Sequence, residues 1–116
     1  MLEALAKADS DDTTNGVDFA SVMVLAPWFP IDTDLPIPVP NGVSADDIML
    51  WDGSDPDGPW RYGAGAVTGG TNVSSFAVLD QMIHHLNNRS MFPNLQHIAV
   101  AGHSSGGQMV RLWFSR

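Results

Sequence analysis

The sequence predicts an α/β fold, in which helices cover the faces of a parallel sheet and one long irregular loop interrupts the alternation. Short apolar runs rich in β-forming residues alternate along the chain with segments of helical periodicity. This alternation is typical of parallel sheets with helical crossovers. A segment dense in proline and glycine separates the first run from the later ones, and a glycine-rich turn joins the last run to the last helix.

Three apolar runs are predicted to be strands. Residues 20–26 carry no charge and end at Pro27. A short apolar run without polar alternation suits a strand that is buried on both faces. Residues 47–51 are a weaker strand candidate, and residues 96–101 form a third predicted strand directly before the glycine-rich turn.

Three segments are predicted to be helical. Residues 2–8 consist of good helix formers and indicate the end of a helix. A second helix is predicted to begin at Ser74 or Ser75, either of which can cap it, and to end near Asn87. Its apolar stripe comprises Phe76, Leu79, Ile83 and Leu86. A third helix is predicted from Ser105 to Phe114.

A chain of 116 residues is long enough for one small domain, here the whole of residues 1–116. Residues 27–73 form the predicted irregular excursion, because five prolines fall between positions 27 and 40 and many glycines follow. Loops of this length are usually functional or disordered. Residues 96–116 then supply the predicted strand, turn and helix.

Charge and composition exclude several classes of function. The formal net charge is −8 and only five basic residues are present, so binding to nucleic acid or to an anionic membrane surface is disfavoured. No apolar run approaches the roughly 18 residues of a transmembrane helix. The chain has no cysteine, which excludes disulfides and thiolate catalysis. No cofactor and no metal site are expected.

The sequence is compatible with more than one cellular compartment. The composition predicts a soluble protein, and the first residues lack the basic start and apolar core of a signal peptide. Glycosylation triplets begin at Asn72 and Asn88, so secretion is compatible with the sequence if a signal peptide precedes Met1.

The segment Gly102-His103-Ser104-Ser105-Gly106 directly follows the third predicted strand. In a G-x-S-x-G turn between a strand and a helix, a strained backbone presents the serine hydroxyl above the sheet. Gly102 and Gly106 avoid collisions with neighbouring elements. The N–H of Ser105 at the helix N-terminus points to where a substrate oxyanion forms. We therefore predict Ser104 as a nucleophile and Ser105 as an oxyanion donor; a glycine-rich turn without chemistry is the alternative.

Beyond this motif, the sequence resembles uncharacterised fungal α/β-hydrolases over roughly residues 20–110. The resemblance rests on residues 24–29, on the pattern Trp51…Trp60-Arg61…Gly63, and on residues 73–80, 91–95 and 98–108. It implies a partial α/β-hydrolase fold. It also implies a triad whose acid and histidine follow the serine in the chain.

The resemblance leads us to expect a central fragment of such an enzyme. Twelve residues follow Ser104, and none is Asp, Glu or His. Residues 2–8 and 22–26 would follow the loop that carries the second oxyanion donor, so that donor would lie before Met1. The acid, the histidine base and this donor are thus expected to be missing.

The favoured function is therefore a segment of a serine hydrolase that forms an acyl-enzyme on Ser104 from an ester or amide and is inactive alone. The alternative is a non-catalytic remnant or interaction module, able to associate with itself through open sheet edges. The sequence does not identify the substrate.

The histidines and a calcium-like segment are weaker candidates. His103 lies within the elbow with its side chain expected to point away from Ser104, and His84, His85 and His97 are expected at the surface. Residues 52–58 lack the turn glycine and terminal glutamate of a calcium loop, so a solvated turn is favoured. Trp51, Trp60 and Tyr62 either line a substrate entrance or anchor the loop; both interpretations remain.

Overall fold

The computed structural model describes residues 21–39, 41–55, 58–68 and 72–116. They include two α-helices, α1 (Ser75–Leu86) and α2 (Ser105–Phe114). Short 3-10 turns lie at Asp32–Asp34, Ala45–Asp47 and Pro59–Tyr62. The predicted helix at residues 2–8 lies outside the described residues. No helix in the described ranges has the length and hydropathy needed to cross a bilayer.

The predicted parallel sheet is absent from the described residues. Their β-type pairings are two isolated bridges, a parallel one between Ile31 and Trp51 and an antiparallel one between Gly65 and Ser74. The prediction of an α/β fold, and with it of a partial α/β-hydrolase fold, is therefore wrong. The physical reason is that a strand needs a hydrogen-bonded neighbour, and an apolar run in the sequence does not supply one.

Two of the predicted strands have no pairing partner among the described residues. Residues 22–29 and 96–102 run without a turn, bend or bridge, and their backbones form no hydrogen bond to any other described residue. The third candidate, residues 47–51, begins inside the Ala45–Asp47 turn and contributes a single bridging residue, Trp51. All three strand predictions are therefore wrong.

Both helix predictions within the described residues are confirmed. The N-cap of α1 is Ser74, whose hydroxyl accepts a hydrogen bond from the N–H of Ala77 at 3.1 Å, and its C-cap is Asn87. The bounds of α2 are those that the sequence predicts. These predictions succeed because caps and apolar stripes act locally and need no distant partner.

The core sits between the two helices and the Pro59–Tyr62 turn. Its buried residues are Phe29, Trp51, Ala66, Leu79 and Met109. The ring of Phe29 meets that of Trp51 edge to face, with 5.2 Å between centroids, and stacks on that of Trp60 at 5.6 Å. Such aromatic pairs are worth about 0.5–1.5 kcal/mol beyond the area that they bury.

Trp51 anchors the predicted excursion of residues 27–73. Its side chain is 2% exposed, and its indole N–H donates to the carbonyl of Ala64 at 2.8 Å. Its backbone N–H donates to the carbonyl of Pro30 and its own carbonyl accepts from Asp32, both at 2.9 Å. Of the two interpretations of Trp51, loop anchoring is therefore the one that its contacts match.

An ion pair between a buried arginine and a partly exposed aspartate holds the next turn. Arg61 is 6% exposed, and its guanidinium donates to the carbonyl of Gly58 at 3.1 Å and to the carboxylate of Asp55 at 3.1 Å. The same guanidinium lies 4.4 Å from the ring centroid of Tyr62. One carboxylate of the calcium-like segment is thus paired with an arginine.

Candidate nucleophile elbow

Ser104 has a strained backbone. Its φ is 53° and its ψ is −122°, and it is the one non-glycine residue with positive φ in the described part of the chain. Sparsely populated backbone conformations of this kind cost on the order of 1–3 kcal/mol and cluster at functional sites. The strain falls on the residue that the G-x-S-x-G pattern predicts as the nucleophile.

The two elbow glycines differ in their surroundings. A Cβ atom on Gly102 would collide with the carbonyl group of Gly106 and lie 2.7 Å from the backbone nitrogen of Gly107, so no larger residue fits there. A Cβ atom on Gly106 would meet no described atom within 4 Å. The requirement for glycine is therefore visible at Gly102, where the start of α2 approaches the preceding segment.

The turn presents an N–H beside the serine that has no partner in the described part of the chain. The carbonyl of His103 accepts from the N–H of Gly106 at 2.9 Å, and the carbonyl of Ser104 accepts from Gln108 at 3.1 Å. No described group accepts a hydrogen bond from the N–H of Ser105. This N–H belongs to the first residue of α2, where the helix dipole favours negative charge.

The hydroxyl of Ser104 is exposed and has no hydrogen-bond partner among the described residues, and it does not cap α2. His103 is exposed beside it without a hydrogen bond to it, and the ring of His85 packs edge-on against Phe92, with centroids 5.6 Å apart. No residue in the described part of the chain is placed to act as the general base of Ser104.

Different contacts fix the position of α2 near its middle and near its C-terminal end. Near its middle, Met109 is 4% exposed and belongs to the core. Near its end, the indole N–H of Trp113 donates to the carboxylate of Asp80 on α1 at 3.0 Å, and Arg116 donates to the same carboxylate. The bonds from Arg116 and Trp113 lower the pKa of Asp80. Sequence reasoning missed this contact, and no motif marks it.

Two hollows of the described surface lie away from the elbow. One of about 330 Å³ is lined by residues that include Trp28, Asp34 and Trp60. A second of about 290 Å³, lined mostly by apolar side chains that include Trp28, Met49 and Val78, adjoins it. No residue from 102 to 107 lines either hollow. The described residues also contain no group of three or more side chains arranged to hold a metal ion.

Comparison with known proteins identifies no family for this chain. No family model, no curated protein and no solved structure matches it. The resemblance to fungal α/β-hydrolases therefore stays a prediction from the residues quoted above.

Proposed function

We propose that Ser104 is the nucleophile of an acyl-transfer reaction, and that the chain is a segment of a serine hydrolase acting on an ester or amide. The observation that supports this most strongly is the positive φ of Ser104, because a serine is held there against a strain that glycine would not incur. The N–H of Ser105, from which no described group accepts a hydrogen bond, adds a donor for the oxyanion.

In the proposed reaction, the oxygen of Ser104 bonds to the acyl carbon while its proton passes to a base. The carbon–oxygen or carbon–nitrogen bond to the leaving group then breaks, and the leaving group takes up that proton. Water later releases the acid and restores the serine. Because no described residue is placed as the base, we expect the purified chain to turn over an activated ester slowly or not at all.

A fluorophosphonate probe tests the nucleophile separately from turnover. Because no described residue is placed as the base, we expect this labelling to be slow. We expect mass spectrometry to find the phosphonyl group on Ser104 sooner than on the exposed Ser115, because the N–H of Ser105 can stabilise the developing charge, and we expect Ser104→Ala to remove the modification. The matched control is Ser105→Ala, which changes the neighbouring hydroxyl but keeps the backbone N–H. Labelling of Ser104 no faster than that of the exposed Ser115, or equal losses in both variants, would contradict the proposal.

A second candidate is a non-catalytic interaction module. It is favoured by the exposed apolar segment of residues 22–25 and by the lack of a hydrogen-bond partner for the Ser104 hydroxyl in the described part of the chain. A folded protein whose Ser104 does not react with the probe would support this candidate over the hydrolase.

A further inference from the structure

One hollow of the described surface brings aromatic rings and a carboxylate together. This hollow, here called the aromatic hollow, measures about 330 Å³ and is lined by residues that include Trp28, Phe29, Trp60 and Asp34. Among its described lining residues, Asp34 is the one that carries a charge. The volume is at the lower end of the roughly 300–1,000 Å³ range of ligand pockets, so the hollow suits a small ligand.

Packing holds part of the aromatic lining in place. Phe29 is 9% exposed, and its ring stacks on that of Trp60 with an interplanar angle of 15°. Gly58 leaves room for the side chain of Trp60, because a Cβ atom on Gly58 would lie 2.2 Å from the indole nitrogen. Trp28 is 60% exposed, so much of its indole is accessible to a ligand.

The charge at the aromatic hollow is negative. One carboxylate oxygen of Asp34 accepts a hydrogen bond from the N–H of Ile31 at 2.9 Å, and no described residue donates to the other oxygen. The guanidinium of Arg61 donates to the carbonyl of Gly58 at this hollow, but it is paired with the carboxylate of Asp55. Since the whole chain carries a formal charge of −8, its field also favours a cationic ligand over an anionic one.

We propose that the aromatic hollow binds an organic ammonium ion with methyl groups on its nitrogen, such as a trimethylammonium compound. The faces of aromatic rings attract cations, and tryptophan is the aromatic residue best suited to this contact. Trp28 and Trp60 supply the rings, and Asp34 supplies the counter-charge. This inference does not depend on the role of Ser104, because no residue from 102 to 107 lines the hollow.

Two other classes of ligand fit the aromatic hollow less well. A metal ion needs several oxygen ligands, and the described residues contain no group of three or more side chains arranged to hold one. A neutral apolar molecule suits the adjoining hollow of about 290 Å³, whose described lining carries no charge, but it would leave Asp34 without a counter-charge. A methylated ammonium ion combines positive charge with apolar groups that can lie against the rings.

Titration of the isotope-labelled full chain with choline chloride, followed by NMR, tests the proposal. We expect saturable shifts of the indole N–H signals of Trp28 and Trp60 with a Kd of about 1–10 mM, since an exposed carboxylate and two rings make a weak site. The signal of Trp113, whose indole N–H donates to Asp80, is expected to stay unchanged. Sodium chloride at the same concentrations controls for ionic strength.

A neutral isostere separates the charge of the ligand from its shape. In tert-butylethanol a carbon atom replaces the charged nitrogen of choline, so we expect no saturable shift at the same concentrations. Equal binding of the two compounds, or no saturable shift with choline, would overturn the proposal.

Matched substitutions test the counter-charge. Asp34→Asn keeps an oxygen that can accept from the N–H of Ile31 but removes the charge, so we expect the Kd for choline to rise about threefold. The control is Asp47→Asn: Asp47 also ends a 3-10 turn and accepts from a backbone N–H three residues earlier, that of Ser44, but it lines neither hollow. Asp47→Asn is expected to bind choline like the wild type. Equal Kd values for the two variants would overturn the proposal.

Trp28→Leu tests the contribution of a ring. Leucine keeps an apolar side chain at the exposed position but has no aromatic face, so we expect the Kd for choline to rise about threefold. Circular dichroism of each variant checks that the fold is kept. A folded Trp28→Leu variant that binds choline as tightly as the wild type would contradict the assignment of the site.

Discussion

The α-carbon of Gly102 faces the carbonyl group of Gly106 so closely that a Cβ atom on Gly102 would overlap with that carbonyl. Gly102→Ala is therefore expected to move the start of α2 and to lower the free energy of unfolding by about 2 kcal/mol, as overpacking does elsewhere. Urea denaturation followed by circular dichroism measures this loss.

Gly106→Ala is the control for that substitution. Gly106 lies in the first turn of α2, and no described atom is within 4 Å of its Cβ position. Alanine there is expected to leave stability unchanged or raise it by up to about 1 kcal/mol, because alanine is the better helix former. Equal destabilisation by both substitutions would show that the close approach of residues 102 and 106 is not the cause.

The strain at Ser104 predicts that a protein with glycine at this position is more stable than one with alanine. Ser104→Gly relieves the positive φ, whereas Ser104→Ala keeps it, and neither removes a capping bond because the serine side chain makes none. We expect the free energy of unfolding of Ser104→Gly to exceed that of Ser104→Ala by about 1 kcal/mol, after the entropic cost of glycine is subtracted. A more stable alanine variant would argue against strain.

Thr68 joins two parts of the irregular region. Its hydroxyl accepts from the N–H of Leu50 and donates to the carbonyl of Ile48, both at 2.8 Å. Thr68→Val keeps the shape but leaves both backbone groups unpaired, so we expect a loss of about 1–3 kcal/mol in thermal or urea unfolding. The exposed Thr33 offers a matched control, and Thr33→Val is expected to change stability by less than about 0.5 kcal/mol.

The lowered pKa of the Asp80 carboxylate predicts that the stability of the fold depends on pH. Hydrogen bonds from Arg116 and Trp113 lower its pKa in the folded state, so its contribution to stability is complete above the unfolded pKa near 3.9 and is lost as the pH falls through the folded value. We expect the wild type to exceed Asp80→Asn in stability above about pH 5, by less than about 1 kcal/mol because the pair is exposed. The difference should shrink below pH 4. A difference independent of pH would show that the charge of Asp80 is not the cause of the difference in stability.

The parts of the molecule that the sequence predicts correctly are those with local causes. Ser74 caps α1 through a bond to Ala77, three residues away, and the apolar spacing of α1 is visible in the sequence. The motif at residues 102–106 likewise identifies the strained residue, because tight turns select glycine at fixed offsets. The nucleophilic role of Ser104 stays a prediction.

The parts that could not be predicted depend on distant partners. An apolar run such as residues 22–26 has the composition of a strand, but composition does not say whether another segment pairs with it. The contact between Asp80 and Trp113 joins residues thirty-three positions apart, and neither belongs to a motif. The same holds for the bonds of Thr68, which begin and end in a region that the sequence marks only as irregular.

The core that joins Phe29 to Met109 also bears on the rate of folding. These two buried residues are eighty positions apart, and Trp51 and Ala66 enter the same cluster from the chain between them. Helices α1 and α2 can form early because their signals are local. The cluster forms only after long loops have closed, and loop closure costs conformational entropy before the burial of apolar side chains offsets it. We therefore expect the chain to fold more slowly than a helical bundle of its length.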